Sequence, residues 1–443
     1  MHKPPRSASC QRLCTSLKHI LFFCTFYSPL ILWISRTSAR DPTSYFFNPT
    51  SAYTPSYSLT RSKQANALIK SAWLHEKTSS RTKGVAPQTC IAIPSQTHER
   101  ARSLKTTIGS LLQGLNKDER DGLELKVLIA QLEPELHPAV REPWLKHTVD
   151  SILFYNETLS EKELLKIVDL TKSAEIRGEE EGVQDEKQVL DFAVLLRECH
   201  ESGAEYIAIV EDDVLAMDGW LHRSLSALES AEEKAALDDD QDFLSLTLFD
   251  TELSLLSNPT STTHQAFSSL FLVTFLATTL YTLQKLSPKS RIGRNITLLS
   301  GIWLCCIVTP FLITLYLAAG QTTTHPLHPG LMQPPNMRFP EGRTTVYPRH
   351  QAGNLLQYFS EGKRIGSVRQ LVGEYAEENG LVQWSIVPSV LQHLGREGPP
   401  ETKEWERKAE MGWNIGFEEY SVEKLREEHE MMAGKDDKGR RRG

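Results

Sequence analysis

Two apolar runs, Ala266 to Leu283 and Ile296 to Ala319, contain no Asp, Glu, Lys, Arg or His, and the link between them, LQKLSPKSRIGRN, carries only basic charges. Each is long enough to supply the about 20 residues that a bilayer helix takes, so the pair reads as a membrane hairpin. Two helices buried in a soluble core are the alternative, but buried helices of that length rarely lack every charge. A third run, Leu17 to Ile34, is slightly short, which suits a thin early-secretory membrane, and is preceded by Lys3, Arg6, Arg12 and Lys18. A cleaved leader ending near Thr37-Ser38-Ala39 is its alternative, opposed by the internal Pro29 and the closing Trp33. The positive-inside rule puts Met1 and the basic link in the cytosol. One crossing then carries the chain to the lumen, and the hairpin returns it there. Residues 35–265 and 320–443 therefore share a compartment, and a single domain can be built from both.

The rest of the chain faces water. Mean hydropathy is -0.34, and only 40% of the 443 residues are hydrophobic, which excludes a many-span transporter. A net charge of -7 gives no long-range attraction toward nucleic acid, so none is expected as a partner. Cys10 and Cys14 fall in the cytosol and Cys24, Cys305 and Cys306 in membrane runs, leaving Cys90 and Cys199 in the oxidising space, either paired or as buried thiols. Pro follows Asn48 and Asn258, and Asn295 is cytosolic or at the membrane edge. Asn156, in Asn-Glu-Thr, is the predicted glycan site.

Residues 35–84 read as a stem and a lead-in helix around Ser62 to Lys77. From Thr89 the pattern alternates: TCIAIPS is a strand, Arg102 to Leu115 has helical spacing, and LELKVLIAQL and VDSILFYN are further strands. A Glu-rich loop near Gly178 to Glu186 leads into a helix from Glu186 to Glu201. The strand Glu205 to Val210, the helix Trp220 to Leu237 and the strand DFLSLTLFD follow. This alternation predicts an α/β fold with a parallel, doubly wound sheet. Beyond the hairpin come a Pro/His-rich connector from His325 to Pro335, then RTTVYPRHQAGNLLQYFSE as a strand into a helix, and a helix from Val368 to Asn379. LVQWSIVPSVLQHLG reads as strand and turn. The charged end after Pro399 has a helical pattern near Ser421 to Met432 and a terminal KDDKGRRRG expected to be disordered.

The sharpest local signal is the strand EYIAIV stopping at Glu211-Asp212-Asp213. Ligands of open α/β sheets collect at the carboxyl ends of strands. Side chains two apart in extended chain point the same way, so Glu211 and Asp213 can converge while Asp212 faces elsewhere. Mg²⁺ or Mn²⁺ takes such oxygen ligands and keeps open positions for substrate phosphates, where it neutralises a leaving diphosphate. An acidic loop capping the next helix, or simply solvated, is the alternative.

A strand ending in EDD, a helix, the strand SLTLFDTE followed directly by a transmembrane hairpin, and later LVQWSIVPSVLQHLG resemble the Golgi N-acetylgalactosaminyltransferases that decorate the GPI anchor, with their fungal relatives. The resemblance covers roughly residues 85–398, and the split by a hairpin is its most specific part. It implies a glycosyltransferase: a GT-A domain in two parts, 85–265 and 320–398, interrupted by transmembrane helices 266–283 and 296–319 around a cytosolic loop 284–295. A cytosolic tail 1–16, a transmembrane helix 17–34 and a charged C-terminal tail 399–443 complete it.

The family's chemistry implies an inverting, metal-dependent transfer of a sugar, GalNAc by the family name, from a UDP-sugar to the mannose core of a GPI anchor, in the membrane of the Golgi, with the endoplasmic reticulum as the alternative. By that resemblance Glu211, Asp212 and Asp213 serve the nucleotide sugar, and Asp213, Glu211 and His393 hold Mn²⁺ or Mg²⁺, with Asp213 the direct ligand. Glu252 is the position chosen for the base that takes the acceptor's proton; Asp250, Glu374 and Glu378 are its rivals. Rival functions are an N-glycan branching N-acetylglucosaminyltransferase, a family usually of single-span enzymes, and a non-catalytic membrane adaptor built on a degenerate transferase domain.

Overall fold

The computed structural model describes every residue except 1–7, 75–85, 97–100, 178–180, 238–241, 252–261, 287–297, 335–343, 361–364, 396–402, 411 and 441–443. The chain divides into two compact units, Met1–Ala52 with Leu256–Pro326, and Tyr53–Leu255 with Leu327–Gly443.

The smaller unit holds the helices Ala8–Thr37 and Thr262–Leu286, together with Leu298–Trp303, which continues through a π turn, Leu304–Val308, into Thr309–Ala318. The spans Ala266–Leu286 and Gly301–Ala318 are long and apolar enough to cross a membrane, and only 0% and 17% of their residues are buried. An all-round apolar helix in a water-soluble core shows the opposite. Phe23 meets Phe311 at 5.3 Å and Trp303 at 5.9 Å, and the Tyr27 hydroxyl donates to the Phe311 carbonyl at 3.1 Å. Past the helix ends, the Ser44 hydroxyl and the Tyr45 N–H both donate to the Ala318 carbonyl, at 2.8 and 2.9 Å, and the Thr323 N–H donates to Asp41 Oδ2 at 2.8 Å. Gly320 has φ 92° and abuts the Asp41 carboxylate, so no side chain fits there. The outgoing ends of the first and third runs therefore lie together.

The larger unit is built on an eight-stranded sheet of order β3-β2-β1-β4-β8-β6-β9-β7. The strands are β1 Thr89–Ser95, β2 Leu123–Ile129, β3 Ser151–Phe154, β4 Tyr206–Ile209, β6 Phe243–Thr247, β7 Gly330–Met332, β8 Thr345–Pro348 and β9 Val382–Val387. β5 Val214–Ala216 and β10 Leu391–His393 form a separate antiparallel pair. β3, β2, β1 and β4 are parallel neighbours, as are β6 and β9. The sheet is mixed, not wholly parallel: β8 runs antiparallel between β4 and β6, and β7 antiparallel against β9. β8 and β7 arrive after the two long apolar helices, free of the crossover that makes successive strands parallel. Both halves of the chain thus build one sheet.

Strand residues alternate between two cores. Ile91, Ile93, Leu125, Val127 and Ala208 face the helices Tyr57–Leu74, Ala101–Leu112 and Trp220–Leu237. Cys90, Ala92, Leu128, Ile207 and Ile209 face Glu181–Glu201, Arg349–Ser360 and Val368–Glu378. The helix at Glu181 starts five residues before its expected beginning at Glu186, extending over part of the Glu-rich stretch. Cys90 and Cys199 are joined by a disulfide with Cα atoms 5.6 Å apart, stapling β1 to that helix. Asn156 is exposed, on the short helix Tyr155–Thr158.

Three segments differ from their sequence-based reading. The lead-in helix belongs to this unit: Tyr57, Ala65 and Ile69 are buried, and a Cβ at Gly109 would lie 2.5 Å from the Ala65 carbonyl oxygen. The connector His325–Pro335 contains β7. The charged end is docked rather than loose, with Trp413, Ile415, Phe417 and Leu425 buried, and its helix Val422–Arg440 runs into the KDDKGR expected to be disordered. Glu418 Oε2 accepts from the Ser56 N–H, the Ser58 N–H and the Ser58 hydroxyl, at 2.6, 3.1 and 3.0 Å.

That last helix is clasped by charge. His429 Nδ1 lies 3.0 Å from Asp218 Oδ1 and Nε2 lies 3.0 Å from Glu119 Oε1. Hydrogen bonds to Asp218 and then Glu119 raise its pKa from 6.5 to about 9, against the opposing effect of burial. Arg61 and Arg426 act on Asp218, and His222 on Glu119. A raised cationic pKa gives stability that is complete below about pH 6.5 and lost as pH rises through about 9. The shift corresponds to roughly 3 kcal/mol. His429→Gln is expected to lower the melting temperature at pH 7 and to abolish most of the wild-type decline between pH 7 and 10. Equal pH profiles for the two proteins would rule this clasp out.

Candidate metal centre and adjoining cavity

β4 delivers the acidic triplet to the carboxyl edge of the sheet, and β5 starts directly after Asp213. β10 pairs with β5 so that His393 stands opposite Val214, and the Leu394 N–H donates to the Asp213 carbonyl at 2.8 Å. This short pairing brings a residue from far along the chain against the triplet. His393 Nδ1 lies 3.6 Å from Asp213 Oδ1 and 3.8 Å from Glu211 Oε2, and ligand atoms of all three residues fall within 4.8 Å of one another. The Phe249 ring meets the His393 imidazole edge-on at 4.5 Å and limits its rotation.

The donor set suits a divalent ion. Two carboxylates supply hard oxygens and charge, and an imidazole suits Mn²⁺ better than Ca²⁺. Neighbouring ligand atoms on a small octahedral ion stand about 3 Å apart, and the two spacings to His393, 3.6 and 3.8 Å, come within ~1 Å of that.

Asp212 sits in the turn that links β4 to β5 and is directed elsewhere. It is 1% exposed, and its Oδ2 accepts from the Ser95 hydroxyl at 2.7 Å while its carbonyl accepts from the Thr107 hydroxyl at 2.9 Å. Ser95 has one hydroxyl proton, so its 3.2 Å contact with His137 Nε2 is a bond donated by the imidazole. Asp212 ties the triplet to the end of β1.

Glu252 lies outside the described residues. Of its rivals, Asp250 is 1% exposed; its Oδ2 accepts from the Ser385 hydroxyl at 2.8 Å and its Oδ1 from the Thr251 N–H at 3.1 Å. Its carbonyl also accepts from Asn414 Nδ2 at 2.9 Å, so the docked C-terminal segment braces this turn. Glu374 accepts from Gln370 Nε2 at 2.8 Å along its own helix, and Glu378 is exposed.

A cavity of about 260 Å³ adjoins the centre, and Glu211 and Asp212 form part of its wall. It extends between the sheet and the helices Glu181–Glu201 and Val368–Glu378, from Gln96 past the end of β4 to Gln383 on β9. Asp191, also in its wall, accepts from the Tyr155 hydroxyl at 2.6 Å and from Gln96 Nε2 at 2.8 Å. Burial raises its pKa to about 6, partly offset by the positive charge of Lys187. Sequence reasoning missed Asp191 and Gln383 because neither stands in a motif; a polar residue inside an apolar strand, VQWSIV, was the available signal for Gln383.

No protein-family model matches the chain, and no curated protein matches it. Among solved structures, the mannosyltransferase Ktr4p from S. cerevisiae aligns over 88% of this chain and 95% of its own, with 9% identity and a TM-score of 0.27. So slight a likeness decides neither fold nor activity.

Proposed function

We propose that the protein is a membrane-bound glycosyltransferase of the GT-A type, moving a sugar from a UDP donor to the mannose core of a GPI anchor, with GalNAc the sugar and inversion the outcome. The observation that carries the reading is the convergence of Glu211, Asp213 and His393 at the carboxyl edge of a sheet, next to a cavity that Glu211 also lines. Glu211, Asp213 and His393 would hold Mn²⁺ or Mg²⁺. A divalent ion there offsets the charge of a departing diphosphate without a strong acid. Asp212 fixes the turn that aims its two neighbours, Phe249 holds the imidazole, and Glu252 is the residue proposed to receive the acceptor's proton.

The disulfide between Cys90 and Cys199 supports a lumenal, oxidising location. The apolar hairpin interrupting the chain of the larger unit supports an acceptor whose lipid tails remain in the bilayer, because tethering raises the effective concentration of the site there. A Golgi membrane protein facing the lumen fits both. Mass spectrometry of GPI glycans from cells lacking the protein is expected to show loss of one side-chain sugar, restored by the wild-type gene. Unchanged GPI glycans would sink the assignment, and a loss confined to N-glycan antennae would move it to the branching enzymes.

A further inference from the structure

The wall of the cavity away from Glu211 carries a feature that a glycosyltransferase scaffold does not require for folding. Strand faces buried beneath helices are normally apolar, and on β4 this face is Ile207 and Ile209. On the neighbouring strands the same face turns polar. Ser245 on β6 stands opposite Gln383 on β9, and Thr247 stands opposite both Ser385 on β9 and Thr345 on β8. Ser245, Thr247, Gln383 and Ser385 are at most 2% exposed. Ser385 is satisfied by Asp250. Gln383 is not: neither Oε1 nor Nε2 has a hydrogen-bond partner among the described residues, and the same holds for Thr247 Oγ1. A buried, unmade amide hydrogen bond costs about 1–3 kcal/mol, so a carboxamide open at both ends calls for a ligand. Ser245, Thr345 and Gln383 all line the cavity.

We propose that this polar floor is the subsite for the sugar ring of the nucleotide-sugar donor, with the Gln383 carboxamide as its specificity-determining group. The inference rests on the transferase reading. Vicinal hydroxyls match a carboxamide: one donates to Oε1 while its neighbour accepts from Nε2. The floor is neutral, which suits a sugar and not a diphosphate. Its open groups are spread over adjacent strands, which suits a ring bearing hydroxyls around its rim better than a base with one polar edge. Glu211 joins the centre to the cavity wall, so a diphosphate at the ion and a sugar over the floor would belong to one ligand.

The test is calorimetric titration of the full-length protein in nanodiscs with Mn²⁺, using UDP, UDP-N-acetylgalactosamine, UDP-N-acetylglucosamine and UDP-galactose. Wild type should bind one sugar nucleotide more tightly than UDP. Gln383→Met should weaken that sugar nucleotide about 10–30-fold, the loss of two neutral hydrogen bonds, and leave UDP unchanged. Its melting temperature should hold or rise, since an unpaired buried amide is replaced by an apolar chain of similar volume. Thr345→Val, a second isosteric change in the cavity wall, should act in the same direction and less strongly. Sugar-nucleotide affinity unchanged in both variants, or UDP weakened in parallel with it, overturns the subsite while leaving the transferase reading intact. Wild type that binds neither UDP nor any of the sugar nucleotides removes the transferase reading and the subsite together.

Discussion

Asp213→Ala is expected to lower metal-dependent sugar transfer by about 10³-fold or more while the protein remains folded. Loss of a directly coordinating carboxylate removes several kcal/mol of charge stabilisation, and each 1.4 kcal/mol is about tenfold in rate. Folding should improve in the absence of metal. Asp213 and Glu211 put two carboxylates within 4.8 Å of each other at the edge of the sheet, and removing one relieves their repulsion. The measurement is a pair of thermal melts, with and without millimolar Mn²⁺, alongside turnover. Wild type should gain several degrees from the ion, as a ligand bound to the native state requires, and Asp213→Ala should gain none. An adaptor built on a degenerate transferase domain predicts otherwise: no ion-dependent shift in wild type, and partner binding that survives the substitution.

Replacing Cys90 and Cys199 together by alanine should cost the larger unit about 4–5 kcal/mol. The cross-link spans a sequence separation of 109, and closing a loop of about 100 residues is worth ~4.7 kcal/mol in the chain-entropy account. Domains hold only about 5–15 kcal/mol in reserve, so most of the protein should be lost to misfolding at 37 °C. Chemical denaturation monitored by tryptophan fluorescence, compared with wild type under oxidising and reducing conditions, provides the check. A midpoint indifferent to reductant and to the double substitution would mean that the thiols are not joined in the native protein.

The convergence at the centre was legible because it depends on local rules. An apolar strand that stops at three acids puts Glu211 and Asp213 at the carboxyl edge of the sheet, although a turn at Asp212 and Asp213, not strand alternation, aims them and directs Asp212 toward Ser95. His393 was legible only through the family resemblance, since nothing in LQH by itself says that β10 will pair with β5. The insertion of β8 between β4 and β6 was hidden, because its four residues give no direction and the intervening chain is a pair of long apolar helices, not a crossover helix packed on the sheet. The docked C-terminal segment was hidden by its charge: Trp413, Phe417 and Leu425 are spaced irregularly among acids, and Glu418 and His429 look solvated until Ser58 and Asp218 are placed beside them. Gln383 lacked a motif, and its meaning lies in the partner it does not have.

The position of β8 also dictates an order of events during synthesis. When the ribosome has completed β6, the edge of β4 is formed but its neighbour β8 is still to be translated, beyond two long apolar helices. Until then a parallel half-sheet waits with an open edge, prone to pairing with other nascent chains. Any slowing in the synthesis or placement of those helices should lengthen that exposure, making early quality control, more than the finished protein's thermodynamics, the step that limits how much of it a cell accumulates.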